Sequence, residues 1–341
     1  MRRYNYITCL RWLATVGIVI WHVSGNFHPN SVANYLPFLM INESVKWSLP
    51  LFIMISGALL LNEGKKNEDN RYFFKNRINK ILIPFIFWTI FYTILKAVIE
   101  YKGAHTVSGM KLLNDIFLGG SYYHMWFLNL IIILYIFTPM IRKILYRQTH
   151  QRVKYAISLL FSFAIVINLI KFLHGFTLNI PVQLVLFLPY FIAGYYQSSS
   201  NEAPGTLLSL FLFVFSILVA ISGAAILSFC SNNSLNNLYF GGSLSPTTVI
   251  ATLTLFSIFK KHKDSSIFSY KTFQFMNKFS YLTFGIYLIH PFIIFVSKHV
   301  GLHNIWPIGS IQIIATSFVV LSLSFFLCWL ISSLPYLRKV I

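Results

Sequence analysis

"LRWLATVGIVIWHV", residues 10–23, decides how the chain must be read. It has the make-up of most of a membrane-spanning helix, yet it carries Arg11 and His22. An arginine at the middle of a bilayer costs about 2.5–3.5 kcal/mol on insertion scales. Two ionisable groups in the first hydrophobic segment therefore ask for a reason.

The rest of the sequence repeats the apolar pattern. Of its 341 residues 56% are hydrophobic and only 10% charged, whereas soluble domains run near about 25% charged. Apolar runs repeatedly reach the roughly 20 residues that cross a hydrocarbon core. Spans are expected near 6–27, 44–62, 81–99, 124–141, 155–173, 181–197, 206–229, 245–259, 280–297 and 307–334. The first of these is too long for a cleaved leader and lacks a small-residue cleavage site. The expected fold is all-α: a polytopic membrane bundle of about ten transmembrane helices, with residues 1–341 forming one integral-membrane domain.

The net charge of +19 is a matter of topology. Arg2 and Arg3 precede the first span; Lys65, Lys66, Arg71, Lys75, Arg77 and Lys80 follow the second. Arg142, Lys143, Arg147, Arg152 and Lys154 follow the fourth, Lys260, Lys261, Lys263, Lys271 and Lys278 the eighth, and Arg338 and Lys339 close the chain. The opposite side holds only Lys46, Lys102, Lys111, Lys171 and Lys298. By the positive-inside rule the basic side is cytoplasmic, so both termini are expected there. The basic surplus then meets anionic lipid headgroups, and nucleic acid is not expected as a partner.

All eight acidic residues are expected in loops or at span ends, Glu43 among them. A proton-coupled transporter usually keeps a carboxylate inside the membrane, so this placement weighs against that class. Cys9, Cys230 and Cys328 have no metal-ligand spacing and read as small buried apolar residues; no metal is expected. The external stretch 100–122 contains Met110–Leu118, a candidate interfacial helix.

Arg11 and His22 are eleven residues apart, which at 100° each falls within roughly 20° of three full turns. Both side chains therefore leave the helix in the same direction, about 16.5 Å apart along its axis. They are too far apart to touch each other, but they are placed to contact two parts of one extended ligand. The competing reading has Arg11 snorkel to the headgroups and His22 belong to an interfacial belt with Trp21.

Three further segments carry candidates. In "FFKNRINKILIP", 73–84, Arg77 and Lys80 are three apart and share a face, with Lys75 nearby. Such cations suit phosphate or pyrophosphate recognition, and ordinary positive-inside anchoring is the alternative. In "YYHMWFLNL", 122–130, His124 and Trp126 stand either in a site or in an aromatic belt. In "FGIYLIHPFI", 284–293, His290 lies before Pro291 with Tyr287 one turn back. The proline frees a carbonyl that needs another partner, so a structural and a functional histidine both remain open there.

In order along the chain these segments resemble the integral-membrane acyltransferase 3 family. The resemblance begins with Arg11 and His22 at the spacing R-x10-H and runs through "SVKWSLPLFIMISGALLL" with Pro50, Phe52, Ser56 and Gly57. It continues with Arg77-x-x-Lys80 before Pro84 and ends in "FSYLTFGIYLIHPFI". "YYHMWFLNLIIILYIFTPMI" and "LSPTTVIATLTLFSIFK" look like the branch that contains the enterobacterial common antigen O-acetyltransferase. Lys80 stands where an arginine is common, and Asn129 near where other branches carry Glu.

The resemblance implies O-acylation, most often O-acetylation, of a sugar hydroxyl on a surface glycan or its lipid-linked precursor. Acetyl-CoA would be the donor, and the location a bacterial cytoplasmic (inner) membrane. Carried over by position, the essential pair is Arg11 and His22, and the donor-binding motif is Arg77 and Lys80. His22 would act as general base on the acceptor hydroxyl, or as the nucleophile of an acetyl-imidazole relay. The rival from another class is a flippase or exporter of a lipid-linked glycan or polysaccharide, to which a basic interior also suits.

Overall fold

Helices supply all the regular structure among the described residues. In the computed structural model these are residues 5–27, 32–65, 68–104, 121–175, 185–200, 202, 204–230, 239–262, 269–302 and 309–341. The helices are α1 Asn5–Gly25, α2 Val32–Ser44, α3 Ser48–Leu60, α4 Asn70–Arg77, α5 Ile83–Ala104, α6 Trp126–Leu145 and α7 His150–His174. They continue as α8 Leu188–Ser199, α9 Thr206–Cys230, α10 Pro246–Lys261, α11 Tyr270–Lys278, α12 Leu282–His299 and α13 Gly309–Ser333. Met110–Leu118 lies outside the described residues.

Eight of the described helical stretches are long and apolar enough to cross a membrane, α2 joining α3 and α4 joining α5 in two of them. The chain is an all-α polytopic membrane protein. The segments expected as spans at 181–197 and 245–259 are represented by α8, of 12 residues, and α10, of 16. At 1.5 Å per residue they run about 18 and 24 Å, short of a core about 30 Å thick. Much of each is buried in protein: α8 continuously from Pro189 to Tyr196, and α10 at ten positions, five of them Thr or Ser, although Ile250 is exposed.

The chain divides into two compact units, each built from two stretches of sequence. In the first, residues 1–62 and 148–327, α1 lies against α3 and α12, and α3 against α8. The α3–α8 crossing depends on two glycines. A Cβ on Gly57 would overlap the Phe191 carbonyl oxygen, and one on Gly194 the Met54 carbonyl oxygen. Backbones approach this closely in membranes because small residues remove the side chains between them. At the end of α11 the Met276 carbonyl accepts from the Trp12 indole at 2.8 Å, which anchors α1. Helix α10 starts cleanly: the Ser245 side chain accepts from the Thr248 N–H at 3.3 Å and Pro246 occupies the first turn.

The second unit holds residues 63–147 and 328–341. There the Trp88 indole of α5 donates to the Val340 carbonyl at 2.8 Å, fixing the chain end against that helix. Between α4 and α5 the residues Ile78–Leu82 form a π turn, a local widening found frequently at functional sites.

Two expectations are corrected. Glu43 is neither in a loop nor at a span end: it is 5% exposed and sits inside the apolar stretch Asn34–Leu60. The break between α2 and α3 lies within that stretch, so a span judged to begin near residue 44 starts about ten residues earlier. The argument against transport that rested on absent intramembrane carboxylates therefore falls. Cys230, expected to be buried, is exposed at the last residue of α9, whereas Cys9 and Cys328 are buried as expected.

Candidate functional site

The first unit brings together residues from two distant parts of the sequence. Helix α1 presents His22, and α12 presents His290, which is fully buried. Their rings lie 2° from coplanar with centroids 5.0 Å apart, and Nδ1 of His22 is 2.7 Å from Nε2 of His290. On its other side His290 Nδ1 lies 3.1 Å from the Ile286 carbonyl oxygen.

For two neutral rings, these two contacts are compatible with the following assignment of the protons. A carbonyl oxygen only accepts, so His290 Nδ1 carries a hydrogen and donates to Ile286. Nε2 of His290 is then the acceptor, and His22 Nδ1–H donates to it. His22 Nε2 is left as the nitrogen bearing the lone pair. One ring orients the next, as the second partner of a catalytic or metal-bound histidine does elsewhere.

Local sequence explains why His290 is held. Pro291 lacks the N–H that would have met the Tyr287 carbonyl. His290 turns back over this weakened turn, and Tyr287, itself buried, places its ring 5.8 Å away. Tyr287 in turn meets Phe52 of α3 edge-on at 6.3 Å. His290 and Tyr287 thus join His22, as the sequence reading allowed. Arg11 is half-buried on α1, which runs unbroken from Asn5 to Gly25, so the common direction of Arg11 and His22 holds.

A charged pair absent from the sequence reading adjoins His22. Trp21 stacks on His22 with ring centroids 5.3 Å apart, and the Lys46 ammonium stands 5.0 Å from the Trp21 ring. Lys46 Nζ is 3.7 Å from Glu43 Oε1, and both residues are buried. The i,i+3 spacing of Glu43 and Lys46 in an otherwise apolar run was the available signal. The sequence reading instead places Lys46 on the external side and Glu43 in a loop or at a span end.

The second unit contains the other predicted cations. Arg77 is half-buried, with its guanidinium 5.7 Å from the Phe73 ring and 5.6 Å from the Tyr135 ring. Its Nε is buried with no hydrogen-bond partner among the described residues. Lys80 is exposed beyond the start of the π turn, and Lys75 is exposed on α4. Arg77 is thus half-buried and Lys80 exposed, with a π turn, Ile78–Leu82, starting between them.

Sequence reasoning missed what surrounds Arg77. Arg142, 5% exposed, pairs with Glu68 at 2.9 Å and lies 4.9 Å from the same Phe73 ring. Burial holds the nearby Lys65 ammonium below the usual lysine value; Glu68 raises it again, and Arg77, Arg142 and Lys80 push it down. Lys65, Arg77, Arg142 and Lys80 thus lie close enough to act on one another, with Glu68 among them.

His124, also in the second unit, is buried and meets the Tyr92 ring edge-on at 4.9 Å. Tyr122 stacks on Tyr92 at 4.7 Å. Trp126 begins α6 half-buried. Only Tyr123 of this group is exposed as a belt residue would be, and His124 is part of an aromatic core. Among the described residues no group of three potential metal ligands occurs.

A family model described as an acyltransferase domain matches residues 4–333, which includes every residue named in this section. No curated protein and no solved structure matches the chain.

Proposed function

The chain belongs to the acyltransferase 3 family of membrane acyltransferases, and from that premise we propose that it moves an acetyl group from acetyl-CoA to a sugar hydroxyl. The acceptor in this reading is a cell-surface polysaccharide or its lipid-linked precursor. The observation that carries the proposal is the 2.7 Å contact between His22 Nδ1 and His290 Nε2. In this reading the contact orients the His22 ring, and His22 Nε2 is the proton acceptor.

The chemistry balances with these groups alone. His22 Nε2 takes the proton of the acceptor hydroxyl as its oxygen attacks the thioester carbonyl carbon. The carbon–sulfur bond breaks, and the departing thiolate takes the proton back from the imidazolium. His290 Nε2 accepts from His22 Nδ1–H throughout and stabilises the imidazolium, the role a carboxylate plays in a Ser-His-Asp site. A positioned base of this kind contributes about 10²–10⁴-fold. Arg77, with Lys80, Lys75 and the newly found Lys65, takes the phosphate groups of the donor, arginine offering two parallel donors to each phosphate. Arg11, eleven residues from His22 on the same helix, is assigned with His22 to the essential pair.

Labelled acetyl-CoA tests the reading. Full-length purified protein, given a glycan-lipid extract of the cells that produce it, should transfer label to glycan. His22→Ala should lower transfer about 10²-fold or more at equal folded protein. Undiminished transfer by His22→Ala would remove the base role. Absence of label from both glycan and protein, together with movement of lipid-linked glycan across vesicles, would favour the flippase.

A further inference from the structure

Glu68 and Arg142 form an ion pair that the transfer chemistry above leaves unused, and they form it among further cations. Lys65 feels the charges of Glu68, Arg77, Arg142 and Lys80 alike. Glu63 also reaches this neighbourhood, acting with Arg142 and Glu68 on Tyr146. The positive charges named still outnumber the negative ones, and all belong to the second unit. Arg77 keeps a buried Nε with no hydrogen-bond partner among the described residues. The place already holds an anion on a guanidinium, and its excess of positive charge attracts another.

The two halves of the pair are held unequally. Arg142 lies on α6, 5% exposed, with its guanidinium 4.9 Å from the ring of the fully buried Phe73. Glu68 lies on the connection between Glu63–Lys65 and α4, and its side chain is 17% exposed against 6% for Arg142. The Glu68 backbone N–H donates to the Lys65 carbonyl at 3.1 Å, an anchor that does not involve the side chain. Asp69 and Asn70, next along the chain, are exposed. The carboxylate therefore has a short way to water, and the guanidinium does not.

A guanidinium meets a carboxylate and a phosphate in the same way, with planar donors facing anionic oxygens. Glu68 Oε2, 2.9 Å from Nη2 of Arg142, therefore stands where a phosphate oxygen would stand. We propose that Arg142 is a phosphate ligand for the donor and that Glu68 is the counter-ion it exchanges. On binding, a donor phosphate takes the place of the carboxylate, and Glu68 turns to water. Exchange keeps the buried cation paired before and after, where simple loss of Glu68 would leave it uncompensated. It also selects the donor, since a neutral acyl thioester gains nothing from Arg142. This rests on acetyl-CoA being the acyl donor.

Exchange predicts a gain of affinity where a merely structural pair predicts a loss. Binding of acetyl-CoA is measured by titration calorimetry on full-length protein in neutral detergent. Glu68→Gln removes the competing anion at nearly constant size and should tighten binding about tenfold. Arg142→Met should weaken it by as much or more. In the double variant the gain from Glu68→Gln should vanish, because no arginine is left to free. Glu63→Gln, at an exposed site, controls for general attraction and should tighten binding much less. Thermal unfolding gives a second readout for variants that purify poorly. Saturating acetyl-CoA should raise the Tm of Glu68→Gln by more than that of the wild type, because a phosphate restores the missing counter-charge.

Weaker or unchanged binding in folded Glu68→Gln, or a gain that persists without Arg142, would overturn the exchange and leave acetyl-CoA standing as the donor. If neither the wild type nor any variant binds acetyl-CoA, the donor reading fails by itself. Inorganic pyrophosphate then decides for the phosphate site: tighter binding by Glu68→Gln supports it, and equal binding overturns it. A gain confined to phosphatidylglycerol, with acetyl-CoA affinity unchanged, would put a lipid headgroup on Arg142 in place of the donor and overturn the proposal.

Discussion

His22 and His290 stand 268 residues apart in sequence and share one hydrogen bond of 2.7 Å with their rings nearly in one plane. On its other side His290 Nδ1 lies 3.1 Å from the Ile286 carbonyl oxygen. In the proposed reaction His290 would act through His22 as a positioning residue.

His290→Leu is accordingly expected to lower kcat for acetyl transfer by about 10²-fold with little change in the KM for acetyl-CoA. His290→Gln should recover part of the loss, because its amide offers one acceptor to His22 and one donor to Ile286. Steady-state kinetics on folded protein separates the cases. Equal losses in both variants, or a loss confined to KM, would make His290 a packing residue only.

Arg77 is held by two aromatic rings, and its flat cation suits that setting in a way an ammonium does not. Arg77→Lys keeps the charge but gives up the stacking and the paired donors. Acetyl-CoA affinity, measured by titration calorimetry, should fall about tenfold or more for Arg77→Lys and further for Arg77→Ala. Lys75→Ala, at an exposed site on α4, should change it much less. Unchanged affinity in Arg77→Ala would return this cluster to a topological role.

Much of this was legible in the sequence for a simple reason: lipid imposes rules that act residue by residue. Apolar runs of spanning length mark α1, α6, α7, α9, α12 and α13, because in hydrocarbon every backbone group must be satisfied inside its own helix. The direction shared by Arg11 and His22 follows from helical geometry alone. What stayed hidden depends on contacts between segments. His290 reads equally well as structural or functional until α12 is seen beside α1. Glu43 reads as a boundary charge because a break between α2 and α3 is invisible to a hydropathy pattern that continues across it. The burial of α8 and α10 is likewise a property of their neighbours, and their composition matches that of a span.

Glu68 and Arg142 illustrate the same limit with a measurable consequence. In sequence Arg142 is one cation among several after the fourth span, but its side chain is buried against Phe73 and answered by Glu68 at 2.9 Å. Removing Glu68 takes away the carboxylate 2.9 Å from this buried guanidinium, a loss that costs about 3 kcal/mol in buried pairs. Glu68→Ala should therefore lower the midpoint of thermal unfolding, whereas Lys143→Ala, at an exposed neighbour, should stay within about 0.5 kcal/mol of the wild type. Equal midpoints for the two variants would show that Arg142 needs no counter-charge.

The α3–α8 crossing offers the sharpest structural test, because two glycines on opposite helices each meet a facing carbonyl oxygen. Gly57 closes the motif that begins at Pro50, and its reason is now physical: no side chain fits between α3 and the backbone at Phe191. Gly194 has the reciprocal constraint against Met54. Either glycine changed to alanine must push the helices apart, and overpacking of this kind costs about 1–3 kcal/mol or more. Because α3 carries Phe52, which touches Tyr287 beside His290, the displacement should also reach the dyad. Gly57→Ala and Gly194→Ala are expected to lower both folded yield and kcat, while Gly205→Ala, with open space around its Cα, should change neither. Full activity in either crossing variant would show that the helices can separate without disturbing the histidines.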